Sequence, residues 1–519
     1  MKDNQNYIVL LIFIILLLGY IYRENSIPTK IENNKINTVL NHIIKNYVDS
    51  INTHSLVENT IKETLKNLDP HSVYMDAEEV QSSMEMMQGS FDGIGIEFSI
   101  HRDTIVIVNV IPNGPSEKKG LHSGERIIYI ENENVAGVGI TNQDVIKKLR
   151  GKKGSKVNIG INSKKDTLTR FLNIVRDKIP LVSLDVAYLI RPNIGYIKLN
   201  RFSATTYKEF TQELSILKKE NNIKSLILDL RGNSGGYLDQ SIKILNQFFG
   251  NKELLVYTEG NSRMKQEYFA DNFGLFQSGE LCILIDEGSA SASEIVAGAI
   301  QDNDRGIIVG ERSFGKGLVQ EQIALNDGSL IRLTVSRYYT PAGRCIQKNY
   351  SQDQEEYFSE MYIRDLNENI DTLEKFTTNA GKTVYGGGGI MPDHIVQSKH
   401  DSLPSSLVYL YTSDFFRELA FDYVDLYRGK NYNFNNFNIN YNDKKNILLQ
   451  IETWLIQELS STLDENDLVQ EMKKNKQNIL NRISALIIRQ IFGWGEMQMF
   501  LNQNDEVIAT SLSLLQNKL

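Results

Sequence analysis

The first hydrophobic feature of the chain is a block. Tyr7 to Tyr22 (YIVLLIFIILLLGYIY) is uncharged and almost wholly apolar. As a helix at ~1.5 Å per residue it would reach about 24 Å, slightly short of the ~30 Å hydrocarbon core of a bilayer. Tyrosines at both ends suit the membrane interface, and Gly19-Tyr20-Ile21-Tyr22-Arg23 offers no small-x-small cleavage site, so the segment reads as an uncleaved signal anchor. After a polar, Asn-rich spacer, apolar residues recur at helical spacing from about Ile36 to Leu68, with Val39, Ile43, Ile44 and Val48 on one face. Pro70 disfavours helix at the residue before it and ends the run. A short helix is expected over Ala77 to Met87. From about Gly89 to Ile174 the pattern turns to short strands and turns: Gly93 to Phe98, Thr104 to Ile111, the turn Pro112-Asn113-Gly114-Pro115, Ile127 to Ile130, a helix from Asn142 to Leu149 and a strand from Val157 to Ile161. From about 180 to 400 strand alternates with helix. Ile194 to Leu199 is a strand, a helix lies near Tyr207 to Lys219, Ser225 to Leu230 is a strand, Asp239 to Phe249 a helix, and Leu281 to Ile285 a buried strand. Such alternation predicts an α/β core. Beyond about Leu403 the chain reads as helical, rich in Tyr, Phe and Asn, with no catalytic signature.

Composition narrows the function classes. At 519 residues the chain exceeds one compact core, so several domains in series are expected. A formal net charge of −8, with no long Lys/Arg run, argues against nucleic-acid binding. The two cysteines, Cys282 and Cys345, form no disulfide framework or zinc spacing, and the seven histidines contain no H-x-x-x-H pair, so no metal or cofactor is expected.

The strand and turn succession of residues 88–175 resembles a PDZ domain over nearly its full length. In such domains the loop Gly93-Ile94-Gly95-Ile96 offers backbone N–H groups to a peptide's terminal carboxylate, and the peptide adds a strand to the sheet edge. Arg150, at the end of the 142–149 helix, is a candidate for coupling that module to a catalytic site; a solvated helix-end charge is the alternative.

Three glycine- or serine-rich segments are candidates for chemistry. Gly310 to Gly317 (GERSFGKG) nearly matches the phosphate-cradling loop, but Gly317 replaces the hydroxyl that holds Mg²⁺. Gly232-Asn233-Ser234-Gly235-Gly236 formally fits a nucleophile elbow. Its histidine would have to be His394 or His400, neither in a convincing context, so the alternative is a glycine-rich turn whose N–H groups face an active site. Gly288-Ser289-Ala290-Ser291-Ala292-Ser293-Glu294 leads into a helix. Ser291 and Glu294 form a capping box there, yet capping alone does not call for three small residues around the serine. A nucleophile at a helix N-terminus gains from neighbouring N–H groups that stabilise an oxyanion. With no histidine to serve as base, a desolvated lysine can, and Lys316 is flanked by Gly315, Gly317 and the apolar Phe314 and Leu318.

Ser291 and its flanks, together with Ser313-Phe314-Gly315-Lys316-Gly317-Leu318-Val319-Gln320, resemble the C-terminal processing (tail-specific) peptidases. The nucleophile-to-lysine spacing of that family matches here, 316 − 291 = 25, and Gln320 follows four residues later. Leu68 to Ser72, Arg201-Phe202-Ser203, Asp229 to Gly236, Tyr338 to Arg344 and Gly386 to Ile390 resemble it as well, so the likeness runs from about residue 36 to 400. Ser313 departs mildly, where the family often has Thr.

The resemblance implies a crotonase-like α/β protease core with a PDZ domain inserted ahead of it. The expected organisation is an anchor over 1–24, a helical region over 25–87, PDZ over 88–175, peptidase over 176–400 and a helical C-terminal domain over 401–519. It implies Ser291 as nucleophile, Lys316 as base, Gln320 orienting the lysine, and backbone N–H groups of Ala292 and Gly235 as oxyanion hole. Expected partners are polypeptides with accessible apolar C-termini, the membrane through the anchor, and an adaptor protein; the expected place is the bacterial inner membrane with the catalytic part in the periplasm. Two alternatives stay open: a membrane-tethered PDZ scaffold with a silent core, and a histidine-dependent hydrolase built on Ser234.

Overall fold

The computed structural model describes residues 30–163, 166–350, 354–363, 373–397, 403–428, 430 and 432–516. The expected anchor lies outside these residues, and no described helix is long and apolar enough to cross a membrane. Two compact units result, one ending at Asp69 and one beginning at Pro70.

The first unit carries helices α1 (Lys30–Asn46) and α2 (Thr53–Lys66). The single periodic run expected over 36–68 is broken here. Asn52 is extended and accepts the Ser55 N–H at 3.2 Å, capping α2. Asn and Asp compete for backbone in this way and favour caps over helix interiors.

In the second unit, β1 (Val73–Met75) leads to α3 (Ala77–Gln88), which starts at an Asp76–Glu79 capping box. The neck strands β2 (Ser90–Gly93) and β8 (Asp177–Pro180) pair antiparallel and enclose β3 (Ile96–His101), β4 (Thr104–Val110), β5 (Arg126–Ile130), α4 (Asn142–Leu149), β6 (Lys156–Ser163) and β7 (Asp166–Val175). The sheet order is β3-β4-β5-β6-β7, so β3 is an edge. Ile105, Ile107, Ile127, Val145, Val157 and Ile159 bury one core beneath it.

Beyond the neck comes a sheet in the order β9 (Leu184–Arg191), β10 (Ile194–Leu199), β11 (Ser225–Asp229), β14 (Glu280–Ile285), β15 (Ile307–Gly310) and β18 (His394–Ile395). All its pairings after β9–β10 are parallel. Every residue of β11 is buried, as a strand covered on both faces requires. On one face pack α5 (Thr206–Lys219), α6 (Leu238–Leu245) and α7 (Ala292–Asp302), through Phe210, Leu214, Ile244 and Val296. A second sheet is built from β12 (Leu254–Gly260), β13 (Arg263–Phe269), β16 (Leu318–Ala324) and β17 (Leu330–Tyr339), with β1 on the β17 edge.

Helix α8 (Gln354–Ile363) is followed by the C-terminal helices α9 (Ser405–Thr412), α10 (Asp414–Tyr427), α11 (Tyr441–Leu459), α12 (Glu465–Lys474), α13 (Lys476–Ile491), α14 (Trp494–Asn502) and α15 (Glu506–Gln516). Leu407, Phe416, Ile451, Ile479 and Ile483 give them a core of their own. The last helix leaves that core: its Val507, Ile508, Leu512 and Leu515 cover the other face of the peptidase sheet, over Tyr196, Ile227, Cys282 and Leu284.

Candidate active site

Strand β14 ends at Ile285 and α7 begins at Ala292; Ser291 caps the junction with φ 56° and ψ −112°. A non-glycine residue held there stores ~1–3 kcal/mol of strain and signals a functional constraint. The turn is possible because its neighbours are small. A Cβ on Gly235, itself at φ +99°, would lie 2.8 Å from Ser291 Cβ and 2.9 Å from the Ala292 nitrogen. Gly235 therefore presses directly on the serine and on the first N–H of α7.

The surrounding hydroxyls have other work. Ser289 Oγ donates to the Leu230 carbonyl (2.9 Å) and Ser293 Oγ to the Asn233 carbonyl (2.8 Å). Both stitch the 286–293 loop to the 230–236 turn. Asp286 joins the same two segments by accepting the Gly232 and Gly288 N–H groups at 2.8 and 3.0 Å. The Gly235 N–H donates to Asn233 Oδ1 at 2.9 Å, so an oxyanion at this turn has to share or displace that bond.

Lys316 is half-buried, and its Nζ lies 3.1 Å from Gln320 Oε1. The Gln320 Nε2 donates to the His71 carbonyl, which fixes the amide so that its oxygen faces the lysine. His71 Nε2 is 2.9 Å from Tyr357 Oη.

Two residues organise this site beyond those given catalytic roles from the sequence, where Glu294 reads only as a helix cap. Glu294, fully buried, accepts the Ser291 N–H (2.8 Å), Ser313 Oγ–H (2.6 Å), Gly315 N–H (2.7 Å) and Lys316 N–H (2.8 Å). Burial pushes its pKa up, opposed by those donors, Ser313 first. The loop that resembles a phosphate cradle thus spends its N–H groups on a carboxylate of the protein itself. Tyr338 Oη donates to the Lys316 carbonyl (2.6 Å), with the Ser291 carbonyl at 3.2 Å. Glu294 had a local signal, its place three residues after Ser291; Tyr338 had only its position inside the Tyr338-to-Arg344 segment.

Ser291, Ala292, Gly235, Lys316 and Gln320 all line one cleft of about 1410 Å³. That exceeds the ~300–1,000 Å³ of small-molecule pockets and fits an extended polypeptide. Met86 and Met87 of α3, Ile242 of α6 and Gln143 of α4 also line it. Ser234 lies on its wall, but His394 is on exposed edge strand β18, and no histidine is among the described residues lining the cleft. His400 lies outside the described residues.

The loop Gly93 to Ile96 belongs to the β2–β3 corner and is a separate site. The Ile94 carbonyl accepts from Ser116 N–H (3.0 Å) and Oγ–H (2.7 Å), and the Gly95 carbonyl from Ile111 N–H (3.0 Å). In trans peptides this turns the N–H groups of Gly95 and Ile96 away from the domain. Arg150 pairs with Glu85 of α3 at 2.5 Å and stacks over Phe91.

Fold and site together define a serine-type peptidase carrying a PDZ domain, and comparison with known proteins agrees. The model of peptidase family S41 matches residues 193–355, the PDZ domain model matches 93–174, and the model of the activating protease CtpB N-terminal domain matches 22–79. A carboxy-terminal-processing protease of Bartonella bacilliformis is 35% identical over 63% of this chain and 76% of its own length. The carboxy-terminal processing protease CtpB of Bacillus subtilis is 34% identical over 60% of this chain and 65% of its own. Among solved structures, the photosystem II D1 C-terminal processing protease is 25% identical, covering 72% of this chain and 90% of that one, with a TM-score of 0.37. The chain belongs to the carboxy-terminal processing proteases of peptidase family S41.

Proposed function

We propose that the chain is a membrane-tethered endopeptidase that trims exported or membrane proteins near their C-termini with a Ser291–Lys316 dyad. The observation that carries this reading is the strained Ser291 at the N-terminus of α7, in one cleft with a lysine whose amine is held by Gln320. Neutral Lys316 takes the hydroxyl proton as Ser291 Oγ bonds to the scissile carbonyl carbon. The Ala292 N–H and the Gly235 N–H, the latter released from Asn233, stabilise the oxyanion. As the C–N bond breaks, Lys316 returns the proton to the leaving amine, and water then hydrolyses the acyl-enzyme. The Gly93–Ile96 loop would receive the substrate's terminal carboxylate, with the tail added along the β3 edge. Tethering by residues 7–22 and a periplasmic catalytic part complete the reading, with an adaptor as a further partner.

The test uses the full chain in detergent on an unfolded protein with an apolar C-terminus. Ser291→Ala and Lys316→Ala should each lose at least about 10³-fold in kcat, and Ser234→Ala should retain cleavage. Full activity in Lys316→Ala would sink the dyad. Tail binding with no cleavage by the unmutated chain would leave a PDZ scaffold.

A further inference from the structure

Besides covering the peptidase sheet through α15, the C-terminal helices reach two elements of functional interest. At one end, α10 and α13 meet the peptide-binding edge of the PDZ sheet. Arg489 of α13 pairs with Glu97 of β3, and Asp422 of α10 pairs with Arg102 (2.7 Å) and with His101 (3.2 Å), the last residue of β3. Asp425, buried, pairs with Arg126 at 2.9 Å. Phe421 packs against His101, the rings tilted by 43° with centroids 4.6 Å apart. This seam is fitted as well as charged: a Cβ on Gly124, at φ +90°, would lie 2.2 Å from Arg428 Nε.

At the other end, Asp505 sits at the start of α15. Its Oδ1 accepts the Val507 and Ile508 N–H groups at 2.9 and 3.1 Å, capping the helix, while its Oδ2 accepts from Arg231 Nη1 at 2.8 Å. Arg231 also grips buried Asp229 through Nη2 at 2.7 Å, and Lys198 Nζ donates to the Arg231 carbonyl at 3.2 Å. Arg231 is the first residue of the turn that carries Gly235 against Ser291. Two carboxylates and two cations balance in this network, and one carboxylate comes from the C-terminal domain.

The geometry points to the C-terminal helical domain as a brace that holds the PDZ edge strand at one end and, through Asp505 on Arg231, the oxyanion turn at the other. Asp505 is then a positioning residue. The brace lies beyond residue 355, where the family match ends. It rests on the Ser291 reading above for the meaning of the turn, but its contacts do not depend on it.

The test uses full-length protein in detergent, a tail-bearing protein substrate and a short peptide substrate. Asp505→Asn keeps a capping oxygen but removes the charge on Arg231. It should lower kcat about tenfold on both substrates with KM unchanged, and Asp505→Glu should recover most of it. Glu97→Arg should raise KM about tenfold for the tail-bearing substrate only, and adding Arg489→Glu should restore it. Alkylation of Cys282, buried beneath α15 with its thiol pushed up to about 12 by burial, reports docking of that helix independently of activity. Cys282 should stay protected in Asp505→Asn, so that the loss is one of positioning. Unchanged kcat in Asp505→Asn, or rapid Cys282 labelling that accounts for its loss, would overturn the brace. So would a Glu97→Arg defect that the swap fails to rescue. If Ser291→Ala stays active, the dyad reading fails instead, and the Cys282 and charge-swap results still decide the brace.

Discussion

Charge holds this molecule together in two regions that work under opposite conditions. Around Glu294 a single buried carboxylate accepts four hydrogen bonds from two segments, the start of its own helix and the 313–316 loop. Along the PDZ seam, Arg102–Asp422 and Arg489–Glu97 are pairs whose side chains keep a third or more of their surface exposed. In the first region a lost partner leaves buried donors unsatisfied, at ~1–3 kcal/mol each. In the second, water and salt replace what is lost, and an exposed pair is worth ~0–1 kcal/mol. Ser291 and Lys316 are thus locked, while the exposed pairs of the PDZ seam can yield beside its one buried pair, Arg126–Asp425.

The largest effect that would sharpen this contrast belongs to Glu294. Glu294→Ala removes the one acceptor shared by Ser291, Ser313, Gly315 and Lys316. It should cost about 3–5 kcal/mol in denaturant unfolding and reduce turnover by at least about 10²-fold. Glu294→Gln keeps one good acceptor oxygen and should fall between. A stability change under about 1 kcal/mol in the alanine variant would erase the difference between the two regions.

Tyr338 gives a smaller effect of the same kind. Its hydroxyl is buried and its pKa is raised well above the usual tyrosine value by burial, then by the Glu294 carboxylate, so it stays a donor at any physiological pH. Tyr338→Phe keeps the ring and removes the bond to the Lys316 carbonyl. It should cost about 1 kcal/mol and lower kcat about tenfold with KM unchanged. Equal losses in kcat and substrate affinity would instead mark a general loosening of the cleft.

What the sequence made legible follows the same division. Ser291 and Lys316 were nameable because their neighbours, Gly288 to Ala292 and Gly315 to Gly317, include the small residues that a strained turn demands locally, whereas Gln320 came only from the family resemblance. The strands β10, β11 and β14 were readable because they are buried on both faces and therefore predominantly apolar. The hairpin β12–β13 was not: Arg263–Phe269 is an exposed edge strand, RMKQEYF, with no alternation to betray it. The second PDZ strand of the closing pair, β7, was missed as well. The helix break at 47–52 depends on one capping asparagine. The PDZ seam had no local signal at all, since Glu97 and Arg489 meet across 392 residues of chain. Long-range charge pairing is fixed by tertiary packing, to which periodicity is blind.

The smallest effect lies at His101, where the seam becomes sensitive to pH. Burial lowers its pKa, opposed by Asp422 and then Glu418, while Arg102 and Arg126 lower it further. The unfolded chain takes up a proton at about 6.5, the folded one at lower pH. Between those two values the unfolded state binds more protons, so stability falls as pH drops below about 6.5 and is fully present above it. The protonated ring would gain the attraction of Asp422 and Glu418, but the cost of burying its charge outweighs both, with Arg102 and Arg126 adding to that cost. Melting temperature measured across this window should therefore drop by about 1 °C more in the unmutated chain than in His101→Gln, which carries no titrating group. An equal or larger drop in His101→Gln would mean that the seam does not set the acid sensitivity. In that case the contrast with the buried hub would rest on exposure to salt alone.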